Sequence, residues 1–417
     1  MNRPRMVQAL ALVAVLPMTA AAASSNVKTE SVASVSQPMY QDVRIGDPRT
    51  GARSVDLDFH RGTGNHFAAV SWPDGWSLNI STDGGATWKE TYFYASASEI
   101  SMRVGGDFAW VAYAPSVAPT QLRMRRFLAA TGAPDANYNY HLVTNLFPAS
   151  VVDVAMTANA DSGDSGVYVA CIGSDLTPYF FWDDLVGTTF EAFHPPGTTA
   201  EGDLDVTMNP GTSSGFFLFI SFEGSGLVKV FRLHLFGGWD TSIAYTLDGN
   251  NHYTAISANQ DTVSVVVERD YTNGNGITHL VNTNAGENGQ WLGDVIYTPP
   301  TPTAPEAAGA DISLRSPAGS LVTYQLEEGA FDGVYHRVRQ EHGQGSWESP
   351  VAFNEVDPAA QEQTTVEWLD IGCGGSYGMV YVSGGDFVPY FDLITPWEVF
   401  CDGFESGSMS EWSSTVP

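Results

Sequence analysis

Two kinds of short β-prone segment alternate along this chain. The first kind carries polar side chains between apolar ones, as in residues 56–59 and 203–206. A turn of glycine, asparagine or serine follows, and then a second segment that is almost wholly apolar, as in residues 108–114. Both kinds are typical of strands, and no stretch has a convincing helical period. The pattern therefore predicts an all-β protein.

This pair of segments recurs seven times. The polar members are residues 56–59, 99–102, 153–156, 203–206, 253–256, 311–314 and 365–368. The apolar members are residues 66–72, 108–114, 166–173, 215–222, 262–268, 320–325 and 378–383. The polar members start 43 to 58 residues apart, which leaves room for four short strands in each unit. Such a repeat predicts a seven-bladed β-propeller of four-stranded antiparallel blades, with the ring closed by residues 40–45 as an outer strand beside the last unit.

One turn of the first unit stands out. The segment Ser-Thr-Asp-Gly-Gly-Ala-Thr-Trp, residues 81–88, joins two β-prone runs. Glycine supplies the positive φ of a tight hairpin, and Asp83 can accept hydrogen bonds from N–H groups of the turn. Trp88 can fold back over it as an apolar lid.

This segment fits the Asp-box pattern S-x-D-x-G-x-T-W through Ser81, Asp83, Gly85, Thr87 and Trp88. The chain thus resembles the Asp-box (BNR repeat) β-propellers, which include sialidases, xyloglucan hydrolases, sortilin-type receptors and non-enzymatic relatives. The resemblance implies a propeller fold and a structural role for the box. Sialidases usually have six blades, so a six-bladed ring is the alternative architecture. Weaker copies of the box surround Asn284, Gly286 and Trp291 in unit five and Gly345 and Trp347 in unit six.

The two ends of the chain have different compositions from the repeat. Residues 1–23 have a basic start, an apolar run and the small-residue site Ala21–Ala23, which predicts a signal peptide cleaved near Ala23. Residues 24–38 are expected to be disordered, residues 39–398 to form the propeller and residues 399–417 to form a tail. We therefore expect a secreted or periplasmic protein with no membrane span, and a monomer.

Charge and cysteine content narrow the possible partners. The 47 acidic residues outnumber 18 basic ones, for a net charge of −29. This balance disfavours nucleic acid and anionic membranes as partners, because both bind basic patches.

The sequence has three cysteines. Cys373 and Cys401 are close enough in sequence to form a disulfide in an oxidising compartment, whereas Cys171 lies in an apolar strand and is expected to be a buried thiol.

Acidic residues begin most of the polar segments. Asp56, Glu99, Asp153, Asp203 and Asp311 occupy comparable positions in five units, and the four aspartates are the candidate metal ligands. If they are equivalent, their carboxylates ring one mouth of the central channel and attract Ca²⁺. The alternative is that each carboxylate holds backbone N–H groups of a neighbouring blade, and we favour it.

The loop 72–76 is the best sequence candidate for ligand recognition. Trp72, Asp74 and Trp76 lie on one hairpin, at the end of the ring opposite the Asp-box. Two exposed indole rings would give flat faces for a sugar, but packing between blades explains them equally well.

A sialidase needs three converging arginines for its substrate's carboxylate, and few arginines fall at the expected ligand end. The Phe-Arg-Ile-Pro start of sialidases is also absent; Val43-Arg44-Ile45-Gly46 matches it only loosely. We therefore expect a secreted propeller that binds an extracellular ligand, a glycan among the candidates, without catalysis. A sialidase-like glycoside hydrolase and a structural, protein-binding propeller are the two alternatives.

Overall fold

The computed structural model describes the chain from residue 42 to residue 394, with gaps. The described residues are 42–138, 141–145, 149–158, 167–183, 191–193, 204–209, 217–224, 227–234, 238–245, 251–314, 319–326, 333–339, 345–352, 354, 358, 364–369, 376–385 and 387–394. The expected signal peptide, the segment 24–38, the tail and the pair Cys373–Cys401 lie outside these residues and stay predictions.

Twenty-eight strands in the described part of the chain form seven separate sheets of four antiparallel strands each. In six sheets all four strands that are adjacent in sequence are adjacent in space, as in a meander, and in the seventh this holds for three strands. The first strand of each sheet packs against the first strands of the two neighbouring sheets, and the strand that begins at Thr365 meets the one that begins at Ser54. The protein is therefore a seven-bladed β-propeller. The predicted fold is confirmed, and the six-bladed alternative is wrong.

Blades 1 to 3 follow one another from residue 54 to residue 193. Blade 1 consists of β2 (Ser54–His60), β3 (Asn65–Trp72), β4 (Gly75–Ser81) and β5 (Lys89–Ala95). Blade 2 consists of β6 (Ala97–Gly105), β7 (Phe108–Pro115), β8 (Gln121–Leu128) and β9 (His141–Asn145). Blade 3 consists of β10 (Val151–Ala158), β11 (Val167–Gly173), β12 (Pro178–Asp183) and β13 (Glu191–Phe193).

Blades 4 to 6 continue to residue 352. Blade 4 consists of β14 (Leu204–Met208), β15 (Phe217–Gly224), β16 (Leu227–His234) and β17 (Gly238–Tyr245). Blade 5 consists of β18 (Asn251–Asn259), β19 (Thr262–Tyr271), β20 (Gly274–Asn282) and β21 (Leu292–Tyr297). Blade 6 consists of β22 (Ala307–Leu314), β23 (Ser320–Leu326), β24 (Gly333–Arg339) and β25 (Val351–Ala352).

Blade 7 is shared between the two ends of the described chain. Its first three strands are β26 (Thr365–Leu369), β27 (Ser376–Val382) and β28 (Pro389–Ile394). The fourth is β1 (Val43–Arg44), in which Val43 pairs with Phe391 and Arg44 with Tyr390. This confirms that the segment 40–45 supplies the outer strand that closes the ring.

The core lies between the blades. The strands β3 and β4 are buried along their whole length, because neighbouring blades cover both faces of the sheet. Trp76 illustrates this packing: its ring contacts Tyr92 of its own blade and Tyr113 and Phe127 of blade 2 at centroid distances of 5.4 to 6.0 Å. Apolar burial between blades is the main favourable term that holds such a ring together.

The turn at residues 81–88, called here the rim turn, has the predicted internal hydrogen bonds. Gly85 N–H donates to Ser81 Oγ at 2.8 Å, and Ser81 Oγ donates to Asp83 Oδ1 at 2.8 Å. Asp83 also accepts the N–H of Thr87 at 2.9 Å, and its second oxygen accepts the Thr87 hydroxyl. The half-buried ring of Trp88 packs edge-on against Phe391 of blade 7, at 5.3 Å. The rim turn therefore attaches blade 1 to the last blade.

Candidate functional site

The first strands of the blades line a central channel, and their polar side chains link each blade to the next. Met102 N–H of blade 2 donates to Asp56 of blade 1 at 2.7 Å, and Leu204 N–H of blade 4 donates to Asp153 of blade 3 at 2.7 Å. Ile256 N–H of blade 5 donates to Asp205 of blade 4 in the same way, at 2.9 Å. Two further boundaries between blades have a similar contact.

At these boundaries Asp311 accepts Val366 N–H at 2.8 Å, and the hydroxyl of Ser257 accepts Leu314 N–H at 3.2 Å. Between blades 7 and 1 the direction reverses, since the Thr365 hydroxyl donates to the carbonyl of Val55 at 3.0 Å. We call these contacts the channel clasp. Each of the clasp aspartates also accepts the N–H of the residue that follows it, as Asp311 does from Ile312.

This arrangement favours the alternative to the metal hypothesis, and the metal site itself stays a prediction. The carboxylates of Asp56, Asp153 and Asp311 are used by backbone N–H groups of neighbouring blades, as the favoured alternative proposed. Among the residues that the structure describes, no three His, Cys, Asp or Glu side chains are grouped so that they could hold a metal ion. Asp203 lies outside the described residues, and in blade 4 the clasp position belongs to Asp205.

Blade 2 is the exception, because its first strand carries Arg103 where blade 1 carries Asp58. The guanidinium group lies in the channel, where Nη1 donates to Asp56 Oδ1 at 2.8 Å and to the carbonyl of Met102 at 2.8 Å. Burial by itself would lower the pKa of Arg103, but the charges of Asp56, Glu367 and other channel acids outweigh it and raise the pKa. Arg103 is therefore a permanent cation at the centre of an acidic ring.

The acids around Arg103 hold their protons more strongly than free carboxyl groups. Desolvation by burial raises the pKa of Asp58 and of Asp205 to about 6, even though Arg103 opposes the shift. Desolvation, aided by the charge of Asp205, raises the pKa of Asp311 to about 8. Desolvation, aided by the charge of Asp58, raises the pKa of Glu367 to about 8. Part of the channel's negative charge is thus neutralised by protons at pH 7.

Two cavities occupy the channel, one toward each end, and Arg103, Asp205 and Asp311 line both. The turn-side cavity lies at the end of the ring that carries the rim turn and has a volume of about 470 Å³. The residues that define it include Phe59, Arg61, Asn259, Gln260 and Glu367. The start-side cavity lies where the first strands begin and has a volume of about 370 Å³; it is lined by Arg53, Glu99, His252, Tyr253 and Glu268, among others. Both volumes fall in the range of small-molecule sites.

For Trp72 and Trp76 the structure favours packing between blades, and their candidate role in ligand binding is corrected. Trp72 is 2% exposed and donates its indole N–H to Ser77 Oγ at 2.9 Å, and Trp76 is fully buried between blades 1 and 2. Neither ring offers a face to a ligand, because both lie within strands that neighbouring blades cover. Asp74 is exposed on the turn between them, and its role in binding stays a prediction.

Cys171 lies fully buried in β11, within the core between blades 2 and 3, as expected for an inert thiol. Burial raises the pKa of this thiol well above its usual range, which disfavours the reactive thiolate.

Sequence reasoning missed Arg103, Asp205 and Glu367 as channel residues. The signal for Arg103 was present: when the first strands are aligned, Ser101-Met-Arg103 falls beside Asp56-Leu-Asp58. An arginine in a row of acids and hydroxyls is the feature that marks the centre of the channel.

Comparisons with known proteins agree with this architecture at the level of the fold. A scan of protein-family models and a search of curated proteins found no match. Among solved structures, a protein of unknown function from Dyadobacter fermentans is similar, with 9% sequence identity, a TM-score of 0.50, and coverage of 85% of this chain and 98% of that one. The SapL1 lectin in complex with alpha methyl fucoside is 14% identical, with a TM-score of 0.48 over 75% of this chain and 98% of that one.

A variant of the NanB sialidase from Streptococcus pneumoniae is 11% identical, with a TM-score of 0.46 over 86% of this chain and 71% of that one. The seven sheets define the class of protein as a β-propeller, and its structural neighbours include a sialidase and a lectin. At these identities the likeness concerns the fold alone, so function has to be argued from the channel.

Proposed function

We propose that this chain is an extracellular β-propeller that binds a glycan in its central channel without catalysing a reaction. The observation that carries the proposal is the chemistry of the channel. Its two polar cavities have volumes in the range of small-ligand sites, and the clasp carboxylates are already hydrogen-bonded within the fold. Polar groups converging in a concave site supply the hydrogen bonds that hold and orient a ligand.

The partners of the channel acids argue against hydrolysis. A glycoside hydrolase needs two carboxyl groups free to act on the two sides of the scissile bond. Asp58 accepts the N–H groups of Phe59 and Val104, and Asp205 accepts those of Val206 and Ile256. Asp311 is held in the same way, so among the four described acids that line the turn-side cavity only Glu367 accepts no backbone N–H. The described lining of that cavity therefore lacks the pair of free carboxyl groups that hydrolysis needs.

The arginines argue against a sialidase in particular. Of the described residues that line the cavities, Arg53 belongs to the start-side cavity, Arg61 to the turn-side cavity, and only Arg103 to both. Arg103 is paired with Asp56. Among the described residues that line the cavities, three free guanidinium groups therefore do not converge on one substrate carboxylate. The acids of the channel also disfavour an anionic sugar.

The location outside the cell rests on the predicted signal peptide at residues 1–23 and is part of the proposal. The acidic composition of the chain supports it. Within the described ranges the structure contains no helix that could span a membrane. N-terminal sequencing of protein exported by a bacterial host tests it, with a start near residue 24 expected.

A glycan array probed with the mature protein, with and without EDTA, tests the binding function. We expect binding to neutral glycans that EDTA does not change, because the carboxylates that could attract Ca²⁺ belong to the clasp. In parallel, a fluorogenic sialic-acid glycoside should show no turnover. Turnover that disappears in a Glu367→Gln variant would show instead that the channel is catalytic, and an array without any bound glycan would contradict the proposed function.

A further inference from the structure

The turn-side cavity contains enclosed polar side chains that the fold leaves without partners. Asn259 and Thr157 both line this cavity and are each 7% exposed. Within the described part of the chain, neither the amide of Asn259 nor the hydroxyl of Thr157 has a hydrogen-bond partner. Buried polar groups are usually hydrogen-bonded, so groups that face a cavity without a protein partner mark a place for a polar molecule.

The half-buried Glu367 adds a third polar group without a hydrogen-bond partner within the described ranges. Its carboxyl group lines the same cavity and, among the described residues, makes no hydrogen bond, in contrast to Asp205 and Asp311. Because its pKa is raised to about 8, Glu367 is mostly protonated at pH 7 and can both donate and accept a hydrogen bond.

The start-side cavity is different, since its enclosed hydroxyl groups are already used. Ser101 donates to Asp56 at 3.0 Å, and Thr365 donates to the carbonyl of Val55. The two ends of the channel thus have similar volumes but unequal hydrogen-bonding capacity, and the unused capacity lies at the turn side.

The chemistry of the turn-side cavity points to a neutral ligand rich in hydroxyl groups. An amide, a hydroxyl and a protonated carboxyl each donate and accept, and so does every hydroxyl of a sugar. At pH 7 the charges of Asp58 and Asp205 offset those of the two guanidinium groups, while Asp311 and Glu367 are mostly protonated. The cavity therefore has no surplus positive charge to attract an anion. Phe59 and Leu314 add apolar surface to the wall, as sugar rings require.

We propose that the turn-side cavity is a saccharide site in which Asn259, Thr157 and Glu367 hydrogen-bond the hydroxyl groups of one neutral sugar residue. The sugar enters from the face of the ring that carries the rim turn, opposite to the end expected from the sequence. This inference rests on the proposed glycan-binding function and deepens it, because it names the cavity, the ligand class and the residues.

Saturation-transfer NMR and calorimetry with methyl glycosides of glucose, galactose, mannose, fucose and N-acetylglucosamine test the site. Thr157→Val deletes one hydroxyl at nearly constant shape, and Asn259→Leu deletes the amide. We expect each to weaken binding of the tightest glycoside about tenfold, as the loss of one hydrogen bond in an enclosed site does. Thr157→Ser keeps the hydroxyl and should bind within about twofold of the unaltered protein.

His252→Ala is the matched control at the other mouth, where the exposed His252 side chain pairs with Asp270 at 3.1 Å. It should leave affinity unchanged. Loss of binding in His252→Ala with none in Thr157→Val and Asn259→Leu would overturn the turn-side site and leave the glycan-binding function in place. If the unaltered protein binds none of the five glycosides and no glycan on the array, both proposals fall together. Melting curves of all variants show whether a loss reflects misfolding; if Thr157→Val is unfolded, Asn259→Leu and Thr157→Ser decide.

Discussion

In both the rim turn and the channel clasp an aspartate accepts backbone N–H groups, but the first is exposed to water and the second is buried. In the rim turn, Asp83 accepts a backbone N–H from Thr87 in contact with water, and hydrogen bonds from Thr87 and Ser81 lower the pKa of Asp83. In the channel, Asp311 accepts two backbone N–H groups, yet desolvation raises its pKa to about 8. The comparison shows that burial, and not the number of donors, decides which protonation state the fold favours.

The two regions also differ in what holds them. The rim turn is tied to blade 7 by packing, since Gly85 has a positive φ of 91° and lies so close to Phe391 that a Cβ atom would come within 2.1 Å of the ring. The clasp joins neighbouring blades through backbone hydrogen bonds to side chains. Blade 5 supports this view of the turn: Gly286 N–H donates to Asn282 at 3.1 Å, and Gly286 lies against Phe219 of blade 4, although the aspartate of the box is missing.

Gly85→Ala should have the largest effect and tests whether packing dominates the rim turn. The new methyl group collides with Phe391 and the backbone is held at positive φ, so we expect a loss of about 3 kcal/mol in the free energy of unfolding. Urea unfolding measures it. Gly84→Ala is the control, because Gly84 has a φ of 75° and no neighbouring atom lies within 4 Å of the place that its new methyl group would take. It should cost only about 1 kcal/mol. Equal losses would show that contact with Phe391 does not matter.

Glu367→Gln should stabilise the protein at alkaline pH and tests the channel side of the comparison. The folded pKa of Glu367, about 8, lies above its usual value of 4.5, so the stability linked to its proton is complete below pH 4.5 and is lost as pH rises through 8. Glutamine mimics the protonated form and avoids this loss. We expect a gain on the order of 2 kcal/mol at pH 9 and almost none at pH 5. A gain that does not depend on pH would mean that the carboxyl group is not desolvated in the folded protein.

Asp83→Ala should have the smallest effect and the opposite dependence on pH. Its folded pKa is lowered, so its stabilisation is present above pH 3.8 and is lost as pH falls through the folded pKa. We expect a cost of about 1 kcal/mol at pH 7, because the lost hydrogen bonds are exposed to water, and a smaller cost near pH 3. Thermal melts at the two pH values measure it. A cost that equals that of Gly85→Ala would make the aspartate, and not packing, the main support of the turn.

The sequence allowed the blades to be predicted because each one repeats a polar and an apolar segment. The internal bonds of the rim turn were also predictable, since they join residues within a single turn. The sequence left ligand binding and packing equally open for Trp72 and Trp76. It could not decide between them, because β3 and β4 are covered on both faces and position in a hairpin does not mark an exposed side chain there.

The channel was only partly predictable, for a geometric reason. Acids at alternate positions of a first strand all face the channel, so Asp203 and Asp205 are equivalent by pattern. That Asp205 accepts the N–H of Ile256 depends on the stagger between neighbouring blades, which no local segment specifies. The partners missing around Asn259 and Thr157 depend on the same stagger, and only the three-dimensional arrangement reveals them.

The pairing of β1 with β28 has a consequence for the order of synthesis. The residues that complete the last blade, Val43 and Arg44, leave the ribosome before any other strand of the described chain, whereas their partners in Pro389–Ile394 leave it last among the described strands. Blades 1 to 6 can form as they emerge, but the circle stays open until blade 7 is available. During that interval β1 has no partner strand, and the faces of blades 1 and 6 that later meet blade 7 are uncovered. Closing so long a loop is slow, so the nascent chain is most exposed to aggregation just before its last blade is made.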